Sequence, residues 1–146
     1  MSIDNPQPHF KLTDQLWEEL VELDGASIAS LVVWDSSLID DNLDDPVTDK
    51  NRIFVDFELY LDDQQLLEIY GAAVLKNESS DALVGFDNIG RALGRLAENG
   101  ALIEEVASDQ DDRLVLILRD HKDKRLLASV TAWLLTTWDT LPEDTL

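Results

Sequence analysis

The chain has 146 residues, the length of about one domain, and its 31 acidic against 11 basic residues give a net charge of −20 at pH 7. This charge opposes direct binding to nucleic acid or to an anionic membrane surface. The absence of cysteine excludes disulfides, zinc–thiolate sites and thiol nucleophiles, and no apolar run is long enough to span a membrane. We therefore expect one cytoplasmic domain covering residues 1–146.

The first half of the chain predicts one helix followed by three strands. Residues 1–11 form a loose lead-in, and Thr13 is suited to cap a helix whose apolar residues recur at helical spacing as far as Leu23. A strand follows at 27–34, and the Asp-rich stretch 36–51 is predicted to be a loop. Alternating apolar residues then predict a hairpin, with strands at 52–61 and 66–75 joined by a turn at 62–65.

The second half repeats this order. Asp87 is suited to cap a second helix, and its Gly90 and Gly94 predict a close contact with a neighbouring element. Strands are expected at 101–107 and 113–118. Residues 125–135 fit a strand through their β-branched side chains and a helix through their apolar spacing, so we favour a strand with a helical end left open.

The fold class is therefore α+β, with two helices on an antiparallel sheet of five or six strands, because short turns join consecutive strands. The element order is αβββ-αβββ, the last element being open between strand and helix. The spacing of apolar residues after Asp14 and after Asp87 is the same, which is consistent with an internal duplication. A partly uncovered sheet face would favour a homodimer.

No pattern of catalytic or metal-binding residues stands out. Asp40, Asn42 and Asp44 match the start of a calcium-binding loop, but Asp45 stands where that loop needs Gly and Asn51 where it needs Glu. The histidines are His9 and His121, and neither has the spacing of a zinc site. We expect no catalytic residue, no metal and no cofactor.

The candidate binding residues are aromatic and acidic. Trp138 follows the last clear element and is the best candidate for an interface anchor, with Trp133 as its companion, because Trp is enriched at binding hot spots. The acidic loop would contact a basic partner through four carboxylates, those of Asp40, Asp41, Asp44 and Asp45. Asp56, Glu58 and Tyr60 share one strand face, which is either a polar groove or a solvated surface.

Two family layouts are similar to this element order. With the small size and acidity of the chain, the order αβββαββ resembles type III secretion chaperones and YbjN-like proteins, which implies a dimeric partner-binding module. The order is also similar to the paired βαβββ layout of glyoxalase-like enzymes, if 9–12 and 82–86 are short strands. That second resemblance implies a metal site, to which only His9, Glu68 and His121 are available.

The function that these observations favour is a non-enzymatic acidic protein-binding module of chaperone, adaptor or inhibitor type, acting as a dimer on a protein with a basic surface. The alternative is a nucleic-acid mimic that inhibits a basic DNA- or RNA-binding protein. A third function, of another class, is a small metal-dependent glyoxalase-like enzyme. Competition with duplex DNA would indicate the mimic, and stabilisation by a divalent metal would indicate the enzyme.

Overall fold

The computed structural model of the chain describes residues 8–35, 53–77 and 79–138. These residues form two helices and six strands in the predicted order αβββ-αβββ. The elements are α1 (Asp14–Val21), β1 (Ile28–Asp35), β2 (Phe54–Leu61), β3 (Gln65–Leu75), α2 (Phe86–Glu98), β4 (Leu102–Ser108), β5 (Leu114–Arg119) and β6 (Arg125–Thr137).

The two helices begin in different ways. Thr13 caps α1 as predicted, because its Oγ1 accepts a hydrogen bond of 3.2 Å from the backbone N–H of Leu16. The predicted cap of α2 by Asp87 is wrong. Gly85 occupies that position with φ of 99°, which glycine adopts without strain, and Asp87 lies in the first turn, where its charge suits the helix dipole.

The six strands form one antiparallel sheet in the order β1-β2-β3-β6-β5-β4, which confirms the predicted fold class. The order is unchanged when the first three strands are exchanged with the last three, as a duplication would produce; the duplication itself stays a prediction. The outer strands also meet at one end, where the N–H groups of Gly25 and Ile28 bond to the carbonyls of Ile103 and Ala101 at 2.6 and 3.0 Å.

The ambiguous last element is a strand along its whole length. β6 pairs with β3 from Gln65↔Thr137 to Leu75↔Leu127, so no helical end forms before residue 138, and residues 139–146 lie outside the described ranges. The outer face of β6 carries Leu127 and Leu134 as well as Ser129 and Thr131, so the sequence lacks the strict apolar–polar alternation that identifies a strand. A strand here also departs from the chaperone-like layout in its final element.

One apolar core lies on the inner face of the sheet. It contains side chains from all six strands and from both helices, and α2 packs against β1 while α1 packs against β4. Side chains on the outer face of the sheet alternate with the core residues and are available for contacts. Within the described ranges, neither helix combines the length and apolar composition needed to cross a membrane.

The close contact predicted at Gly90 and Gly94 is wrong. Apart from the backbone of α2 itself, a Cβ at either position would have no atom within 4 Å. The two glycines instead line an open groove of about 480 Å³ between α2 and β1, together with Val33 and Phe86. The glycine pair therefore shapes a surface rather than permitting a tight helix contact.

Candidate functional site

The outer face of β1, β2 and β3 carries a cluster of acidic and aromatic side chains. Antiparallel pairing places Trp34 of β1 opposite Asp56 of β2, and places Glu58 of β2 directly opposite Glu68 of β3. Directly opposed side chains on neighbouring strands have Cβ atoms about 4.5–5.5 Å apart. Two carboxylates therefore lie side by side at the centre of the cluster.

Hydrogen bonds hold these carboxylates in place. Glu58 Oε1 accepts from Trp34 Nε1 at 3.2 Å and from the Tyr60 hydroxyl at 3.4 Å. Glu68 Oε1 accepts from the Tyr70 hydroxyl at 3.1 Å. Each tyrosine lies two residues further along the strand of its glutamate, so the two phenols flank the carboxylate pair at opposite corners. We call Trp34, Glu58, Tyr60, Glu68 and Tyr70 the acidic–aromatic cluster.

The pKa values of both tyrosines are raised by their surroundings. Burial, the charge of Glu68 and the hydrogen bond to it raise the pKa of Tyr70 to about 12. Burial and the neighbouring Glu58 carboxylate likewise raise the pKa of Tyr60. Both phenols stay protonated at neutral pH, so they act as hydrogen-bond donors to the glutamates and not as bases or nucleophiles.

A bulge in β3 shapes one side of the cluster. Gly71 adopts φ of 62°, and the register between β2 and β3 shifts at this point. Asp56 is 7% exposed, and its Oδ1 accepts a hydrogen bond of 2.9 Å from the Gly71 N–H. The bulge leaves a shallow depression of about 230 Å³, whose lining includes Trp34, Glu58, Glu68 and Tyr70.

The described part of the chain supplies no cation to the two glutamates. Across residues 8–35, 53–77 and 79–138, the ion pairs join Arg119 and Arg125 to Glu104, and Arg119 to Asp123. All of these lie on the other half of the sheet. Trp34 is 54% exposed beside the glutamate pair, so the cluster presents an accessible aromatic surface together with two carboxylates that no Lys or Arg of the described residues pairs with.

The tryptophans predicted from the sequence lie elsewhere. Trp133 is 2% exposed and packs in the core, with its rings 4.8 Å from the His9 ring. Trp138 is half-buried, and its Nε1 donates to the Leu61 carbonyl at 2.9 Å while its ring contacts Tyr60 edge-on at 5.8 Å. Trp138 therefore braces the acidic–aromatic cluster from one end. Asp40, Asp41, Asp44 and Asp45 lie outside the described residues.

Sequence reasoning identified part of this surface. It noted that Asp56, Glu58 and Tyr60 share a strand face, but it missed Trp34, Glu68 and Tyr70. The signal for Glu68 and Tyr70 is their alternation on the returning strand, which places them on the same face as the first group once the hairpin register is known. Trp34 ends an apolar run, which is the pattern of a core residue and gives no sign that its side chain is exposed.

Within the described ranges, no group of three or more His, Asp or Glu side chains is arranged so that it could hold a metal ion. His9 lies against Trp133, and the N–H of His121 donates to the Asn99 carbonyl in a turn. Glu68 belongs to the acidic–aromatic cluster.

A scan against protein-family models and searches of curated proteins and solved structures found no match to this chain.

Proposed function

We propose that this chain is a non-enzymatic protein-binding module that holds a basic segment of another protein against its acidic–aromatic cluster. The observation that carries the proposal is the direct opposition of Glu58 and Glu68 beside the exposed indole of Trp34. We place the module in the cytoplasm, in keeping with a chain that has no cysteine.

The electrostatics of the cluster favour a cation. Like charges placed directly opposite on neighbouring strands destabilise a sheet, and a positive charge between them offsets this cost. A lysine or arginine side chain would bring that charge and several N–H donors to the two carboxylates. Burial is the largest cause of the raised pKa of Tyr70, and the negative charge of Glu68 adds to it because it disfavours the phenolate.

The aromatic side chains add a second source of affinity. A guanidinium or ammonium group over an aromatic face gains about 0.5–1 kcal/mol at an exposed site and more when desolvated. Trp34 is fixed by its hydrogen bond to Glu58, so its ring needs little reorganisation on binding. The net charge of −20 attracts a basic partner at longer range and raises its rate of association.

The chemistry of the cluster supports binding rather than catalysis. General acid–base work needs a group whose pKa is tuned towards the working pH, and the shifts of Tyr60 and Tyr70 move away from neutrality. Asp56 is buried, and its carboxylate accepts the hydrogen bond from the Gly71 N–H at the bulge, which is a structural role. The side chains present are those that orient and compensate a cation.

A peptide titration tests the proposal. The probe is a short peptide rich in Lys and Arg, compared by calorimetry with a peptide of the same length in which Gln replaces each basic residue. We expect the double variant Glu58→Gln/Glu68→Gln to bind the basic peptide at least roughly tenfold more weakly than the unmodified protein. Trp34→Ala should also weaken binding.

The matched control is Glu18→Gln/Glu19→Gln, which removes two exposed carboxylates from α1 and so changes the net charge equally. We expect it to lower the affinity much less, because long-range attraction between exposed charges is largely screened at physiological salt. Equal loss in the two double variants would mean general charge attraction and would contradict a site on this face. A basic peptide that does not bind at all would contradict it too.

A further inference from the structure

The other half of the outer sheet face carries a patch of apolar side chains. The strand register places Leu75, Leu127 and Ile117 in one row across β3, β6 and β5, and places Val115 beside Ala107 in the next row. We call these five residues the apolar patch. All five side chains are partly exposed, and none of them belongs to the apolar core. The core and both helices lie on the inner face of the sheet, opposite the patch.

The two ends of the apolar patch carry opposite charge. The turn between β4 and β5 contains Asp109, Asp111 and Asp112 with Arg113, whereas the basic residues Arg119, Lys122, Lys124 and Arg125 surround the turn between β5 and β6 with Asp120 and Asp123. β5 separates the two turns by six residues, or roughly 20 Å of extended chain. The first turn is therefore net negative and the second net positive.

Two surface depressions lie on the patch, one towards each charged end. One of about 320 Å³ has Glu105 and Asp109 at its rim, and another of about 440 Å³ has Lys76 together with the ion pair of Arg125 and Glu104. Ile117 and Leu127 line both of them, so the depressions meet at the centre of the patch. The patch is thus an apolar middle between an acidic rim and a basic rim.

We propose that a second copy of this chain docks face to face on the apolar patch. A two-fold axis running across the strands reverses the strand direction of the second copy, so the acidic turn of each copy meets the basic turn of the other. Four of the chain's 11 basic residues surround the β5–β6 turn. Arg119 and Arg125 pair with Glu104, whereas Lys122 and Lys124 are in none of the ion pairs of the described residues and can meet the acidic turn of a second copy.

The charge pattern favours a second copy over an unrelated partner. An interface that is acidic at one end and basic at the other is complementary to itself under a two-fold rotation, and needs no special property of another protein. This inference does not rest on the proposed function, because the acidic–aromatic cluster lies on β1, β2 and β3 and the patch is centred on β5 and β6. The variant Glu58→Gln/Glu68→Gln should therefore associate as well as the unmodified protein.

Sedimentation equilibrium over a range of protein concentrations measures the association. We expect the unmodified chain to form dimers, and Leu127→Lys to raise the dimer dissociation constant at least roughly tenfold. Val21→Lys is the matched control, because Val21 is a partly exposed apolar residue of α1, which packs on the inner face of the sheet. A protein that is monomeric at every concentration, or a dimer that Leu127→Lys leaves unchanged, would overturn the proposal.

A charge exchange tests the orientation without altering the sheet. Lys122→Glu/Lys124→Glu should weaken the dimer more than Arg91→Glu/Arg95→Glu, which changes the net charge equally but lies on α2, on the inner side of the sheet. Mixing Lys122→Glu/Lys124→Glu with Asp111→Lys should restore association above that of Arg91→Glu/Arg95→Glu mixed with Asp111→Lys, a pair of equal total charge. Equal association in the two mixtures would overturn the two-fold arrangement.

Discussion

Glu58 and Glu68 lie directly opposite each other on β2 and β3, and each accepts a hydrogen bond from the tyrosine two residues further along its own strand. The tyrosine hydroxyls stabilise the carboxylates but bring no positive charge. The two carboxylates therefore repel each other in the folded protein. Locally unfavourable interactions of this kind are found mainly at functional sites.

Removing one charge of this pair should stabilise the free protein. Glu68→Gln keeps an oxygen that accepts from Tyr70 and removes the repulsion from Glu58, so we expect the free energy of unfolding to rise by about 0.2–1 kcal/mol. Urea unfolding at neutral pH measures this change. Glu18→Gln on α1 serves as the control with little effect, and a loss of stability in Glu68→Gln larger than in the control would show that the pair is not repulsive.

The raised pKa of Tyr70 predicts a loss of stability at alkaline pH. An unfolded tyrosine ionises at a pH of about 10, whereas the folded protein holds the Tyr70 proton until about pH 12. The folded state therefore binds this proton more tightly, and the stability that it contributes below pH 10 is lost as the pH rises towards 12. Urea midpoints across this window should fall less steeply in Tyr70→Phe, and parallel curves would contradict the assignment.

The buried carboxylate of Asp56 should be needed for the bulge in β3. Asp56→Ala removes the acceptor of the Gly71 N–H, and an unsatisfied buried N–H costs about 1–3 kcal/mol. Asp56→Asn keeps an oxygen acceptor of the same shape, so it should lose much less stability. Chemical denaturation of the two variants makes the comparison, and an equal loss in both would mean that the negative charge matters and the hydrogen bond does not.

Gly100 should tolerate no side chain. Its φ is 78°, and a Cβ at this position would overlap the ring of His121. Gly100→Ala should therefore lower the free energy of unfolding by about 1–3 kcal/mol through backbone strain and the steric clash. The double variant Gly100→Ala/His121→Ala relieves the clash and keeps the strain, so it should recover part of the loss. No recovery, after correction for His121→Ala alone, would show that the ring moves aside freely.

The helices and strands were predictable because local signals and long-range packing agree. Thr13 begins α1 in both the sequence and the structure, and alternation placed β2 within two residues of its observed start. β6 was ambiguous because the apolar residues Leu127, Val130 and Leu134 also have the spacing of one helix face. The wrong cap at Asp87 reflects a backbone turn at Gly85 that no side-chain pattern encodes.

The site was less predictable because it depends on hairpin register. The sequence suggested a four-residue turn at 62–65, which would place Glu58 opposite Ile69. The observed turn has three residues, with Gln64 at φ of 68°, and this moves Glu68 opposite Glu58. A shift of one residue exchanges the two faces of a strand, so the acidic–aromatic cluster becomes visible only when the turn is known.

The most direct measurement of the central claim is an NMR titration of the isotopically labelled protein with the basic peptide, following the indole N–H signal of Trp34. Trp34 Nε1 donates to Glu58, so a cation that binds Glu58 must change the environment of this proton. We predict a saturable shift of the Trp34 indole signal together with the backbone signals of Glu58, Glu68 and Tyr70. A titration in which these signals stay fixed while others move would contradict the account.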